Sequence, residues 1–392
     1  MDIQIANEKA LEVIRNSSHK KGFLASALKK DNYQRVWARD GVITGIAALA
    51  SREEGLIATF RDTLITLGDA ISLQGHIPSN VELTTDEVSF GGLAGRADTG
   101  SWWIIGLCLY SKYTGDKILL NQYRRHVEKI HQLYQAWEYN NKDLIYVPLA
   151  GDWADEYILS GYVLYDQVLR YAALKLSGDL FQNQEWSEKA DFVKLAIYQN
   201  FDISEKWKHA GIHPKAKNNL LRNFSKKSYL PASFNPAGYQ DYFDGLGNAL
   251  AIIFKIHPDP QACLSWATDR NTPLIPAFYP TIDSDNPDFN LLKQNYRFEF
   301  RNIPHEFHNG GVWPMVNGFW GVANYISAGK KPAEDILNAI IALNSKDNWG
   351  FNECFHGQTL MPCGVHACTW SAAGQLILSN TISKGFYLLD QQ

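Results

Sequence analysis

Carboxylates and aromatic rings lie close together in the seven residues Gly151 to Tyr157, GDWADEY, between two apolar segments. Hydrolysis of a glycosidic bond needs one carboxylic acid that protonates the leaving oxygen and a second carboxylate on the opposite face of the sugar. Polar side chains and tryptophan faces hold the sugar itself. Similar mixtures recur in RVWARDG (35–41), GRADTGSWW (95–103), GYQDYFDGLGN (238–248), HEFHNGGVWP (305–314) and FNECFHG (351–357). These residue types together fit the hydrolysis of a glycosidic bond.

Sequence motifs of other enzyme classes do not occur. The chain contains no GxGxxG or GxxxxGK[ST] loop, no GxSxG elbow and no HExxH. Those patterns mark nucleotide-binding proteins, α/β-hydrolases and zinc proteases. These three classes therefore have no support in the sequence.

The composition predicts a globular protein. Hydrophobic residues make up 45% of the chain and charged residues 20%, and the net charge of -4 comes with scattered lysines and arginines. We therefore expect no nucleic acid and no membrane as partners. The longest apolar runs are about half of the ~20 residues that a membrane span needs. The first twenty residues lack the apolar centre of a signal peptide, so a cytoplasmic location is expected.

The five cysteines include no CxxC pair, which predicts reduced thiols, no metal and no other cofactor. One segment is crowded with Cys354, His356, Cys363, His366 and Cys368. A zinc site there is the weaker alternative, because the spacing fits no usual finger or knuckle.

The elements that position the site are predicted to be helices. Apolar residues recur with helical spacing, as in Leu164, Val168 and Tyr171. Long polar loops alternate with short links, so stacked helix pairs would gather the long loops at one end. We therefore predict an all-α fold, one (α/α)6 toroid barrel domain over residues 1–392 with its active-site cup at that end. The twelve predicted helices lie near 5–16, 41–50, 54–72, 99–115, 117–138, 161–177, 184–200, 242–256, 259–268, 311–328, 331–344 and 365–380.

Several of these segments resemble known families of sugar-cleaving enzymes. GRADTGSWWIIGLCLYSKYTGD is similar to the neutral/alkaline invertases, which have an arginine, an aspartate and paired aromatic residues before a helix and a TGD turn; HNGGVWP is similar to them as well. GDWADEY followed by GYVLYDQVLRYAAL resembles amylo-α-1,6-glucosidase (glycogen debranching) domains. So does GFNECFHG before GVHACTWSAAGQLIL, and these ordered motifs span residues 33 to 380.

The resemblance implies an inverting glycoside hydrolase. Asp155, two residues after Trp153, matches the general acid, and Glu353 matches the general base. In an inverting enzyme the two carboxyls are roughly 6.5–9.5 Å apart. Trp153 and Tyr157 are expected to raise the pKa of the Asp155 carboxyl in a partly desolvated cup. The expected sugar-binding residues are Trp37, Arg39, Asp40, Asp98, Trp102, Asp152, Trp153, His308, Asn309, Trp313 and Trp370.

Alternatives remain open at this point. Asp152 is the second candidate for the acid, and Glu299 or Glu306 for the base. The invertases have a DRR-like sequence where this chain has DEY, so the substrate is expected only to be a small glucoside or oligosaccharide, sucrose-like or an α-glucan fragment. Other possible functions are a glycoside phosphorylase, a sugar epimerase or isomerase using His308 and His366, and sugar binding without catalysis.

Overall fold

The computed structural model describes residues 2–28, 31–92, 94–223, 228–268, 272–295 and 299–389. Helices dominate these residues. α15 is a single turn in which Asp347 and Asn348 have left-handed backbone angles. In chain order the helices are α1 (Ile3–Asn16), α2 (Ala38–Ser51), α3 (Glu54–Asp69), α4 (Thr99–Thr114), α5 (Lys117–Gln122), α6 (Arg124–Ala136), α7 (Leu164–Phe181), α8 (Gln184–Phe201), α9 (Pro214–Asn223), α10 (Gly245–Ile253), α11 (Pro260–Thr268), α12 (Asp288–Asn295), α13 (Pro314–Ala328), α14 (Lys330–Asn344), α15 (Lys346–Trp349) and α16 (Thr369–Lys384).

Six of the helices pack in a cyclic order. α2 contacts α4, α4 contacts α7, and the order continues through α10, α13 and α16, which returns to α2. Other helices cover this ring from outside, with α1 on α16, α3 on α2, α8 on α7 and α14 on α13. The core therefore lies among six inner helices and between them and an outer layer.

Burial explains which helices are inner. Every residue from Ala38 to Ala50 of α2 is buried, and so is every residue of α10. The outer helix α14 instead buries one stripe, which includes Ile336, Leu337 and Ile340. A helix that is apolar all round must be surrounded, whereas an amphipathic helix covers a surface.

The closest approach between inner helices lies where α13 crosses α16. A Cβ atom at Gly318 would stand 2.4 Å from the carbonyl oxygen of Gly374 and 2.5 Å from its Cα. No side chain fits between the two backbones there. Glycine is therefore required at Gly318 for these helices to pack at this distance.

The N-termini of the inner helices meet at one end of the ring. Arg39 in the first turn of α2 bonds to Asp98, the N-cap residue of α4. Asp98 also accepts a hydrogen bond from Tyr165 in the first turn of α7. Arg39 lies over the ring of Trp370 in α16, and Trp370 contacts the N-cap tryptophan of α13. We call this the N-terminal end of the ring.

Short antiparallel strands lie in the connections, several of them directly before inner helices. They form sheets in the orders β1-β2, β3-β4-β5, β6-β7-β8-β9 and β10-β11. The strands of the described residues are β1 (Ser18–His19), β2 (Gly22–Phe23), β3 (Arg35–Trp37), β4 (Asn80–Glu82), β5 (Val88–Ser89), β6 (Tyr162–Val163), β7 (Pro231–Asn235), β8 (Gly238–Asp244), β9 (Phe278–Tyr279), β10 (Cys354–Phe355) and β11 (Pro362–Cys363).

All twelve predicted helices overlap helices of the structure, with three differences. The segment predicted at 117–138 is divided at Tyr123 into α5 and α6. The structure adds α9, α12 and the single turn α15 inside long loops, and it adds the short strands. Most of these strands have two or three residues, too few for an alternating pattern to show in the sequence. Over the described ranges, no helix has the length and apolarity of a membrane span.

The crossing of α13 and α16 gives a stability prediction. Gly318→Ala should lower the free energy of unfolding by about 1–3 kcal/mol, because the added methyl group overpacks a backbone contact. The matched control is Gly55→Ala in α3, where a Cβ meets nothing within 4 Å. The control should raise stability by about 0.4–1 kcal/mol. Urea denaturation measures both, and equal effects would contradict the proposed contact.

Candidate active site

A buried ion pair lies at the centre of the N-terminal end. Arg39 donates from Nη1 to Oδ2 of Asp98 at 2.7 Å. The hydroxyl of Tyr165 donates to the same oxygen at 3.0 Å, and Trp102 donates from Nε1 to that hydroxyl at 2.7 Å. Trp102 itself is fully buried. Trp102 therefore supports Tyr165, which in turn bonds to Asp98, and its ring does not face solvent.

Aromatic rings form a wall beside this ion pair. Trp313 stacks on His308 with ring centroids 5.0 Å apart, and its ring meets Trp370 and Trp153 nearly at right angles. Arg39 lies 5.9 Å over the Trp370 ring. Trp37 lies on β3, two residues before Arg39 in the sequence, and is partly exposed. Four of the predicted sugar-binding residues, Trp153, His308, Trp313 and Trp370, thus come together in three dimensions.

Asp155 is partly exposed, as is its neighbour Glu156, whereas Asp152 is buried. The Asp155 side chain is 34% exposed, and it accepts from Nη2 of Arg96 at 2.8 Å. Arg96 also donates to the carbonyl oxygen of Ala150 at 2.6 Å, which fixes the guanidinium to this loop.

The sequence predicted that Trp153 and Tyr157 flank the Asp155 carboxyl. In the structure Tyr157 is instead fully buried against Phe278, and the immediate partner of Asp155 is a cation.

Asp152, by contrast, belongs to a buried cluster of acids. Burial and the charge of Asp98 raise the pKa of Asp152 to about 7. Asp166 in α7 is also buried, and neither of its carboxyl oxygens has a hydrogen-bond partner. Burial, with the charges of Asp152 and Asp98, raises the pKa of Asp166 well above its ordinary value. Asp244, the N-cap residue of α10, is fully buried, and burial raises its pKa to about 7.

Glu353 lies just before β10 and is held at both oxygens. Tyr33 donates its hydroxyl to Oε1 at 3.0 Å, and the backbone N–H of Val365 donates to Oε2 at 3.2 Å. Burial raises the pKa of Glu353 to about 7, against the lowering effect of these two hydrogen bonds. The charges of Asp40 and Asp155 raise it further. Glu353 and Asp155 therefore lie near enough to interact electrostatically.

The turn after β11 closes over the Glu353 carboxylate. A Cβ atom at Gly364 would stand 2.4 Å from Oε2 of Glu353, and Gly364 has a φ of +73°. Both the position and the backbone angle require glycine. The β10-β11 hairpin therefore positions the carboxylate from its own strand and from the strand opposite.

Asp40 completes the group of acids near Glu353. It is buried in the first turn of α2, and burial raises its pKa to about 6 while Arg39 opposes the rise. The N-terminus of a helix favours a negative charge. Asp40 thus stays available as a charged acceptor for hydroxyl groups around neutral pH.

Other predicted residues have supporting positions. The side-chain amide of Asn309 is fully buried and bonds to the backbone of Ile282 and Asn302. His308 is buried, and burial lowers its pKa to about 4, so the ring is neutral at pH 7. Glu299 is exposed and pairs with Arg301. These residues hold loops or lie outside the buried group.

The sequence left open Glu306 as the base and a pair of histidines, His308 and His366. Glu306 is partly buried in the turn that leads to Gly310. His366 is exposed, whereas His308 is buried, and across the described chain no hydrogen bond or ring contact joins them. In the same ranges no group of three or more histidine, cysteine, aspartate or glutamate side chains has the arrangement of a metal site.

Five residues of this region were absent from the sequence-based set. Tyr33, Arg96 and Tyr165 act through contacts between distant segments, so spacing along the chain carried little signal. The positions of Asp166 and Asp244 did carry a signal in the sequence. A buried acid at the first turn of an apolar helix is costly unless it caps the helix or faces a site. The five residues are Tyr33, Arg96, Tyr165, Asp166 and Asp244.

Comparison with known sequences supports the predicted resemblance, although no family model matches the chain. The chain is 24% identical to alkaline/neutral invertase E of Arabidopsis thaliana, over 88% of this chain and 65% of the invertase. It is 23% identical to cytosolic invertase 1 of Oryza sativa subsp. japonica, over 88% and 71% of the two chains. The chain thus spans just under two thirds of the Arabidopsis protein.

Solved structures with a similar fold include glycosidases. A GH63 mannosylglycerate hydrolase from Thermus thermophilus in complex with glucose has a TM-score of 0.69 at 13% identity, over 95% of this chain and 99% of the hydrolase. A bacterial glucoamylase complexed with acarbose has a TM-score of 0.66 at 16% identity, over 98% and 56% of the two chains. Both have the (α/α)6 glycosidase fold. The chain is thus similar in sequence to invertases and in fold to glycosidases. The resemblance to alkaline/neutral invertases is confirmed.

The buried acids give a prediction about pH. The folded protein holds protons on Asp152, Asp166 and Asp244 at pH values where the unfolded chain, with aspartate near 4, has lost them. These three acids should therefore make the free energy of unfolding fall as pH rises from 5 to 8, whereas buried histidines with a lowered pKa, such as His308, act in the opposite direction below about pH 6.5. Asp166→Asn should make this fall shallower by about one proton, or about 1.4 kcal/mol per pH unit.

Urea denaturation at several pH values measures these slopes. The matched control is Asp335→Asn, which changes an exposed aspartate on α14 and should keep the slope of the unchanged protein. A slope that is the same in Asp166→Asn as in the unchanged protein would show that Asp166 does not retain its proton in the fold.

Proposed function

We propose that the protein is an inverting glycoside hydrolase that cleaves an α-glucosidic bond in a small glucoside or oligosaccharide, sucrose-like or an α-glucan fragment. The observation that carries the proposal is that Asp155, 34% exposed and bonded to Arg96, and Glu353, held at both oxygens, lie before α7 and α16 at the N-terminal end of the ring. The reaction requires two carboxyls from different segments, one on each side of the bond that is cleaved.

Glu353 is the proposed general base. Its two hydrogen bonds, from Tyr33 and Val365, fix the direction of the carboxylate and leave lone pairs for a water molecule. Its pKa of about 7 suits proton abstraction near neutral pH, where an efficient base is both ionised and basic. The water that it activates would attack the anomeric carbon on the face opposite the leaving group.

Asp155 is the proposed general acid. It is partly exposed, whereas Asp152 is only 2% exposed, and an acid must reach the leaving oxygen. Arg96 orients Asp155 in the free protein. The exposed part of the Asp155 carboxyl would meet the leaving oxygen of a bound sugar.

The remaining residues are proposed to bind the glycone. Asp40 and the Arg39–Asp98 pair offer acceptors and a donor for hydroxyl groups, and Trp370 offers an apolar edge. We also propose that the cyclic packing of inner helices forms a toroid barrel, in one catalytic domain over 1–392. The N-terminal end of the ring would be its cup. The cytoplasmic location expected from the sequence stays a prediction; one similar protein is a cytosolic invertase and another is chloroplastic.

Two other functions have less support at this site. A phosphorylase would bring phosphate to the position of the attacking water, where Glu353 and Asp40 are both acidic and Arg39 is already paired with Asp98. An epimerase based on histidines would use His308, which is neutral and stacked between aromatic rings. A two-carboxylate hydrolysis accounts for more of the buried groups.

The test uses the purified protein with α- and β-linked disaccharides and short glucans, with and without inorganic phosphate. Glucose release should occur without phosphate and should not increase when phosphate is added. Asp155→Asn and Glu353→Gln should each lower kcat at least ~100-fold, the usual contribution of general acid-base catalysis. Glu299→Gln and Glu306→Gln are the matched controls and should retain activity.

Several results would overturn these roles. Near-normal turnover in either Asp155→Asn or Glu353→Gln would remove that residue from the mechanism. Full activity in Asp155→Asn together with a ~100-fold loss in Asp152→Asn would assign the role of general acid to Asp152. Absence of hydrolysis across the panel would contradict the proposed function.

The turn over Glu353 gives a separate prediction about activity. Gly364→Ala should lower kcat by about 10- to 100-fold, since a displacement of about 1 Å in a catalytic group is costly. Gly115→Ala is the matched control, because Gly115 has a similar φ of +77° but nothing within 4 Å of an added Cβ. Both variants should lose about 1–2 kcal/mol of stability from the backbone angle. Equal activity in the two would contradict the proposed positioning of Glu353.

A further inference from the structure

Two cysteines face each other on the hairpin that positions Glu353. β10 and β11 are antiparallel, and Cys354 is the direct cross-strand partner of Cys363. Directly opposite residues in such a pair have Cα atoms about 4.5–5.5 Å apart, within the roughly 4.4–6.8 Å that a disulfide spans. Both thiols are free, Cys354 buried and Cys363 partly exposed. The backbone thus already places the two cysteines at a separation suited to a disulfide.

The two thiols also interact with each other. A hydrogen bond from Cys354 lowers the pKa of Cys363, while the same contact, after burial, raises the pKa of Cys354. The pair is therefore asymmetric. Cys363 is the more accessible and more easily ionised sulfur, and Cys354 lies behind it as a protonated thiol. A thiolate is the nucleophilic form of cysteine, so oxidation should begin at Cys363.

We propose that Cys354 and Cys363 form a reversible disulfide that lowers the activity of the site. The oxidant class is a peroxide, and hydrogen peroxide is the simplest member. The part of the proposal that concerns activity rests on the proposed role of Glu353. The formation of the disulfide itself rests only on the cross-strand pairing of the two cysteines.

The reaction proceeds in two balanced steps. The Cys363 thiolate attacks one oxygen of hydrogen peroxide; the O–O bond breaks, and with one proton the products are a sulfenic acid and water. The sulfur of Cys354 then attacks the sulfenic sulfur, an S–S bond forms, and the hydroxyl group leaves with the Cys354 proton as water. Two thiols are thus oxidised and one peroxide is reduced to two waters. An added dithiol reverses the bond by thiol–disulfide exchange.

The cysteines are adjacent to the residues that position the base. Cys354 follows Glu353 directly, and Cys363 precedes Gly364, whose backbone closes over Oε2 of Glu353. The donor to that oxygen, the N–H of Val365, follows Gly364. A covalent bond draws the sulfurs closer than a hydrogen bond does, so it must shift these short strands. A displacement of Glu353 by a fraction of an ångström is enough to reduce catalysis.

The experiment treats the full-length reduced protein with hydrogen peroxide, then alkylates and digests it without reductant. Mass spectrometry should find Cys354 and Cys363 in one linked pair of peptides, two hydrogens lighter than the sum of the reduced peptides. Glycoside hydrolysis should fall at least ~10-fold in the same sample and recover with dithiothreitol. Absence of the linked peptides would overturn the proposal.

Variants separate this bond from other oxidative damage. Cys363→Ser should form no linked peptide, should retain the activity of the reduced protein and should resist peroxide. Cys263→Ser, a buried cysteine on α11, is the control and should respond like the unchanged protein. If the linked peptide forms but hydrolysis is unchanged, the disulfide does not affect Glu353, and the part of the proposal that concerns activity is wrong. The mass measurement needs no substrate, so a protein that hydrolyses no glycoside would contradict the proposed function while the linked peptide still decides the disulfide.

Discussion

Repulsion among buried acids is the constraint on which the N-terminal end of the ring depends. Six buried carboxyls gather there around one buried guanidinium, that of Arg39. Carboxylates do not remain charged side by side in a low-dielectric interior unless cations, helix N-termini or hydrogen-bond donors compensate them. Three compensations are visible: the Arg39–Asp98 ion pair, the convergence of inner helix N-termini and retained protons on the deepest acids. The six carboxyls are Asp40, Asp98, Asp152, Asp166, Asp244 and Glu353.

The ring of helices makes this concentration possible. Because the inner helices begin at the same end, their first turns bring residues that are far apart in sequence into one small space. Each N-terminus also presents unpaired N–H groups and a partial positive charge. The close crossing at Gly318 and Gly374 keeps two of these helices near each other. Packing in the core thus constrains where the acids at the N-terminal end of the ring can lie.

Unequal environments give the acids different roles. The deeper group, Asp152, Asp166 and Asp244, has raised pKa values, and Asp166 and Asp244 also have unpartnered oxygens, which suits neutral groups that donate or accept hydrogen bonds. Asp155 keeps contact with solvent and with Arg96, and Glu353 is held by Tyr33 and a backbone N–H. Environments that push carboxyl groups apart in acidity are how acid and base roles are assigned.

Helix periodicity and motif content predicted much of this arrangement from the sequence. All twelve helices were recognisable because long apolar segments have a clear period, and Trp153, Trp313 and Trp370 were recognisable because they lie in motifs that resemble those of known sugar-cleaving families. The partners that orient the site were not. The hydrogen bond of Tyr33 to Glu353 joins residues 320 positions apart, and that of Arg96 to Asp155 joins residues 59 apart. Such contacts follow from how the ring closes, which no local pattern records. The expected environment of Asp155 differed for the same reason.

The most direct test of the two-carboxylate mechanism is the configuration of the first sugar released. Proton NMR, recorded within the first minutes of reaction with an α-glucoside, distinguishes the anomeric protons before mutarotation mixes them. The mechanism predicts β-glucose first, since Glu353 would direct water to the face opposite the bond that Asp155 protonates. Release of α-glucose first would mean that a carboxylate attacks the sugar itself, and it would contradict the proposed roles of Asp155 and Glu353.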